Sequence, residues 1–195
     1  MNDLRDKLDS MPNRVLFLNL ALTQGVLFVV GLILYYVFLR KKMTITELYH
    51  FNDFGTAMLY GTVFAVVIIT LDVWLMKRLP KGYFDDGGIN ERIFRDVNVF
   101  QIAVIALFVA FVEEWLFRGV LQNLIGLFWT SILFALLHYR YLNKWFYGML
   151  VLAISFGFGT LYQWTGNLWS VIWAHFLIDF ILGCLIRYRL VETRV

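Results

Sequence analysis

Glu113 and Glu114 stand side by side in a stretch, residues 104–118, whose only other charged residue is Arg118. An ionised side chain at the centre of a bilayer costs about 2.5–3.5 kcal/mol on insertion scales, so ionisable residues in apolar segments mark function by default. His138 lies in a later apolar segment, and His175 with Asp179 in another, which completes the makeup of a hydrolytic site. Glu114 and Arg118 are four apart, as are His175 and Asp179, so each pair shares one helical face. Glu113 is one position off the Glu114 face and is free to point elsewhere. We read a division of labour in which Arg118 neutralises Glu114 while Glu113 acts on water. A carboxylate removed from water without a full counter-ion holds protons more readily, the condition for general-base work near neutral pH. His138 would help to position the same water. His175 would stabilise a developing oxyanion as a donor, with Asp179 orienting it or, if protonated, donating too. Glu113, His138, His175 and Asp179 also offer two imidazoles and two carboxylates, a set that could bind catalytic zinc. The residue types leave both chemistries open. The lack of a paired ligand motif such as His-Glu-x-x-His favours the metal-free one, with no cofactor required.

The elements that must carry these groups are membrane helices. The chain has 195 residues, 61% of them hydrophobic and 16% charged, with mean hydropathy +0.70, against a charged share of about 25% in soluble domains. Apolar runs of about 20 residues span a bilayer. About six are present, near 15–39, 57–76, 97–123, 127–141, 145–163 and 167–187, the fourth being short. The fold class is therefore all-α, a polytopic transmembrane helical bundle. Residues 1–14 form a polar or amphipathic segment with Leu4, Leu8 and Met11 on one face, suited to a membrane interface. Residues 15–96 supply accessory helices and a flexible loop at 77–96, with Pro80, Gly82, Asp85, Asp86, Gly87 and Gly88. Residues 97–187 form the core that holds the candidate site, and 188–195 a tail.

Helical pitch gives a depth test. The third and fourth spans turn near Gly126, with Glu113 and His138 each about 12–13 residues from the turn and so roughly 18–20 Å deep. The last two spans turn near Gly166, which sets His175 and Asp179 roughly 13–20 Å below that turn. All four groups fall at a similar level.

Of the 17 Lys and Arg, about 13 lie on the side of the two termini and about 3, Arg40, Lys41 and Lys42, on the other, with Arg118 set aside. The positive-inside rule then places both termini in the cytoplasm of a bacterial-type plasma membrane. No basic patch points to nucleic acid. Cys184 is the one cysteine, which excludes an intrachain disulfide and a thiolate metal cluster. Ser131, Ser155 and Ser170 lack a Gly-x-Ser-Gly setting and read as packing residues. Asp72, near Lys77 and Arg78, reads as a structural residue reaching the interface or pairing there, and His50 as an exposed loop residue.

Three motifs carry a resemblance. Glu113-Glu114-Trp-Leu-Phe-Arg118 fits Glu-Glu-x-x-x-Arg, Phe134-Ala-Leu-Leu-His138 fits Phe-x-x-x-His, and His175-Phe-Leu-Ile-Asp179 fits His-x-x-x-Asn/Asp. In this order, over about residues 97–187, they resemble the CPBP family of type II CAAX prenyl endopeptidases and their bacteriocin-processing and abortive-infection relatives. The resemblance implies an intramembrane endopeptidase with Glu113 as base, His138 as its partner, His175 and Asp179 on the oxyanion side, and Glu114 and Arg118 in support. Its partners would be the lipid bilayer and a peptide or protein substrate in or at the membrane. Asp179 stands where prenyl-protein members usually have Asn, and the chain is shorter than those members, which favours processing of small peptides or control of membrane partners. Two rivals are a non-proteolytic scaffold that binds a peptide or signalling partner, and a small proton-coupled transporter.

Overall fold

The computed structural model describes residues 10–80, 83, 88–138 and 145–191, and these are helical with short connections. Helix α1 (Asn13–Leu34) runs into a wider π-type turn at Tyr35–Leu39. The short α2 (Ile45–Tyr49) follows, opened by a capping box between Thr44 and Glu47. Helix α3 is Phe54–Arg78 and α4 is the short Ile89–Phe94. Helix α5 (Val99–Glu114) starts from a second capping box, Asn98 with Gln101, and continues through a π-type segment, Trp115–Leu121. Helices α6 (Gln122–Leu137), α7 (Trp145–Thr165) and α8 (Leu168–Arg187) complete the bundle.

Five runs are long and apolar enough to cross a membrane, and the longest, Val99–Leu137, has 39 residues. That run is not one straight helix. Gly126 sits inside it at φ 81°, ψ 169°, a conformation that L side chains avoid. The chain reverses there: Phe117 packs edge-on to Phe134 at 4.8 Å between centroids, and Glu113 meets His138 at 3.8 Å. The run is thus a hairpin, and the bundle has about six passes. The second arm is short. Helix was expected through residue 141, but α6 ends at Leu137 with His138 in a non-helical cap conformation. Residues 139–144 lie outside those described.

Helix α8 is central, packed by α3 on one side and α5 on another. The α3 contact is close because Gly61 has no side chain: a Cβ there would run into the Ser170 carbonyl. Trp173 donates its indole N–H to Thr62 at 2.9 Å beside this contact. Val171, Ile172, Ala174 and Ile178 of α8 join Trp115, Leu168 and Phe158 in the main core. In lipid such packing rests on van der Waals contact and hydrogen bonds, since burial from lipid tails gives no hydrophobic gain. Leu18, Leu22, Val26 and Ile33 of α1 stay exposed, as a lipid-facing surface requires.

Two expectations are corrected. The 77–96 loop is not wholly irregular: Phe94 and Val97 pack with Ile102 and Ile186 in a second core cluster, and buried Arg92 donates to the Met11 carbonyl at 2.8 Å. Residues 81, 82 and 84–87 of that loop lie outside those described, as do 1–9 of the amino-terminal segment and 192–195 of the tail. Asp72 makes no ion pair with Lys77 or Arg78 among the described contacts. It is buried, and its Oδ1 takes no hydrogen bond among the described residues.

Candidate active site

The π-type segment after Glu114 carries Arg118, and wider turns of this kind recur at functional sites. Arg118 is fully buried. Its Nη1 donates to Glu114 Oε1 at 3.1 Å. Its Nη2 donates to the Ser155 carbonyl at 3.1 Å and to Ser155 Oγ at 2.9 Å. The guanidinium lies over the Phe134 ring at 4.6 Å and near the Phe158 ring at 5.3 Å, both within cation–π range. Three helices thereby grip one cation, and Ser155 does more than pack.

Glu114 also has a second partner. His175 Nδ1 lies 2.8 Å from the same oxygen, Oε1. The Glu114 oxygen that takes the Arg118 hydrogen is an acceptor, so Nδ1 carries a hydrogen. On the far side of the ring, Nε2 lies 3.4 Å from Asp179 Oδ2. His175 therefore bridges two carboxylates and is stacked on Phe158, with centroids 5.2 Å apart. Asp179 is the most exposed of the three, with a third of its side chain accessible, against none of Glu114.

Glu113 faces away from this pair. Its Oε1 accepts from Gln24 Nε2 at 2.9 Å, while Oε2 lies 3.8 Å from His138 Nε2. That is too long for a direct hydrogen bond and suits a bridging water. The His138 ring stacks on Phe134, and its Nδ1 contacts the Phe134 carbonyl at 2.8 Å. The six residues singled out in the sequence thus fall into two groups joined by the Glu113–Glu114 backbone. Gln24 and Ser155 were not among them. The signal for Gln24 was available: it is an amide in the middle of a helix that is mostly apolar, and entirely so beyond it.

Zinc was the alternative ligand. Among the described residues no three His, Cys, Asp or Glu side chains are grouped to hold an ion. The two nitrogens of His175 already face Glu114 and Asp179, so the ring turns no free lone pair toward Glu113 and His138.

A family model described as type II CAAX prenyl endopeptidase Rce1-like matches residues 95–181. The protein YpbD of Bacillus subtilis (strain 168), itself uncharacterized, is 48% identical over 130 residues, or 67% of this chain and 69% of that protein. The chain belongs to the Rce1-like family. No solved structure matches it. Membership makes this Rce1-like chain an integral membrane protein of a protease family, whose substrates are peptides or proteins at the membrane. The matched residues take in Glu113, Glu114, Arg118, His138, His175 and Asp179. They leave out α1, and with it Gln24.

Proposed function

We propose that the chain is an intramembrane endopeptidase that hydrolyses a peptide bond of a membrane-associated protein or peptide, using water activated by Glu113 and His138 and no metal. The observation that carries this reading is the state of Glu113. One carboxylate oxygen is held by Gln24 and the other is turned toward His138 across a gap of 3.8 Å. A water there gives a proton to Glu113 Oε2 while its oxygen attacks the scissile carbonyl carbon. The carbonyl oxygen becomes an oxyanion, stabilised by the Nε2–H of a doubly protonated His175 once Asp179 turns aside. Glu113 then returns the proton to the amide nitrogen, the C–N bond breaks, and the two peptide products leave. Glu114 and Arg118 hold His175 and join three helices. The termini face the cytoplasm in this reading, and the substrates are small membrane-associated peptides rather than necessarily prenylated proteins.

The test is cleavage of a panel of membrane-associated peptides in liposomes, read by mass spectrometry for wild type and Glu113→Gln, with and without a zinc chelator. We expect cleavage by wild type, at least a thousandfold loss in Glu113→Gln from removal of the base, and no effect of the chelator. Equal cleavage by the two proteins would remove Glu113 from the reaction. Chelator-sensitive cleavage would replace the metal-free mechanism. No cleavage of any peptide, together with capture of a membrane partner by both proteins, would favour the scaffold.

A further inference from the structure

Gln24 belongs to a helix that otherwise serves the lipid. Of the 22 residues of α1, only Leu16, Gln24 and Gly31 are buried. These are seven or eight apart and form one narrow stripe where α1 touches the bundle. The stripe's middle member is a polar amide, 3% exposed, in a helix with no other buried polar residue. Its Nε2 donates to Glu113 Oε1 at 2.9 Å, and its own Oε1 takes no hydrogen bond among the described residues. The orientation of the amide follows from chemistry: a carboxylate accepts, so the nitrogen faces it. An amide facing lipid or apolar side chains costs free energy unless bonded. The contact with Glu113 is the one that the described structure supplies.

We infer that Gln24 is a positioning residue for the reaction: it occupies Glu113 Oε1 and so directs proton exchange to Oε2, the oxygen turned to His138. This rests on the hydrolase reading and extends it to a helix outside the family match. Without Gln24 the carboxylate regains rotation about its last side-chain bond, and either oxygen can face the water or neither. With Gln24 the geometry is preset in the charged form, and it survives protonation at Oε2, because Oε1 is then the carbonyl oxygen of the acid and still accepts. Gly31, further along the stripe, fixes the approach of the helix. A Cβ there would lie 2.6 Å from Trp115 Nε1, so α1 sits against the turn that follows Glu114 with no room to spare.

The experiment compares wild type, Gln24→Leu, Glu113→Gln and the double variant, by steady-state cleavage of a peptide in liposomes and by thermal unfolding. The expected result is a fall in kcat of roughly ten- to hundredfold for Gln24→Leu, from misplacement of the base by a fraction of an ångström, with KM within about twofold. The double variant would be no slower than Glu113→Gln alone, because Gln24 has no other route into the reaction. A Gln24→Leu protein with unchanged kcat, or one in which KM carries the whole effect, would overturn the inference. If wild type cleaves nothing, the hydrolase reading fails separately, and the melting temperatures decide on Gln24: non-additive shifts of the two single variants uphold its hold on residue 113, and additive shifts refute it.

Discussion

Replacing Arg118 by Met keeps an apolar stem of similar length and deletes the charge. In the folded protein Glu114 is 0% exposed and would then keep only His175 as a partner. Removing one member of a buried ion pair typically costs 3–5 kcal/mol, because the remaining charge is stranded. The loss of the hydrogen bonds to Ser155 and of the contacts with the Phe134 and Phe158 rings adds to this. With about 2–4 °C of Tm per kcal/mol at this chain length, the expected drop is roughly 6–20 °C. Thermal unfolding in detergent, followed by the fluorescence of the seven tryptophans, would measure it. The decisive comparison is the double variant Arg118→Met with Glu114→Gln. It loses the same Ser155 and ring contacts, yet no longer buries an uncompensated charge, and a neutral amide oxygen can still accept from His175. It should be more stable than Arg118→Met alone by about 1–3 kcal/mol. A double variant as unstable as the single one, or less stable, would refute the claim that Arg118 is there to neutralise Glu114.

Other outcomes follow from the same contacts. Asp179→Asn should keep cleavage within a few fold or raise it, measured as kcat/KM, because an amide N–H can donate where an ionised carboxylate cannot; a loss of more than a hundredfold would show that the charge on Asp179 is needed to hold His175. Gly61→Ala should lower the yield of folded protein sharply in a membrane-extraction and gel-filtration assay, since the added carbon meets the Ser170 carbonyl, which is backbone and cannot swing away. Gly25→Ala, on the same helix as Gln24 but with nothing within 4 Å of the added carbon, should leave yield and Tm unchanged, which makes it the control.

What the sequence showed and what it hid divide along physical lines. Pairs four apart on one helix are local geometry, so Glu114 with Arg118 and His175 with Asp179 could be read directly, and both are found within 3.1 and 3.4 Å. Depth could be read as well, because helical rise is constant: Gly126 is the turn, and residues equally far from it meet. The bond from His175 to Glu114 spans 61 residues and depends on how α8 rotates against α5, which spacing along either helix does not fix. The Gln24 contact spans 89 residues and needed the docking of α1, whose apolar surface looks alike on all sides. The early end of α6 was hidden because Tyr139 and Tyr141 extend the apolar pattern past His138. The order in α4 was hidden because its packing comes from two distant aromatic and aliphatic contacts rather than from its own composition.

The end of α6 has one more consequence. The Phe134 carbonyl there is met by both the backbone N–H and the ring Nδ1 of His138. A carbonyl has no hydrogen to give, so Nδ1 carries one, and in a neutral ring Nε2 is then the acceptor nitrogen. The place where the helix stops therefore selects the tautomer. In the proposed reaction, His138 Nε2 and Glu113 Oε2 are then both acceptors, and one water between them would have both of its hydrogens engaged. Its oxygen lone pairs would be aimed outward, at the space a substrate carbonyl would enter. The direction of attack would be written into the length of a helix.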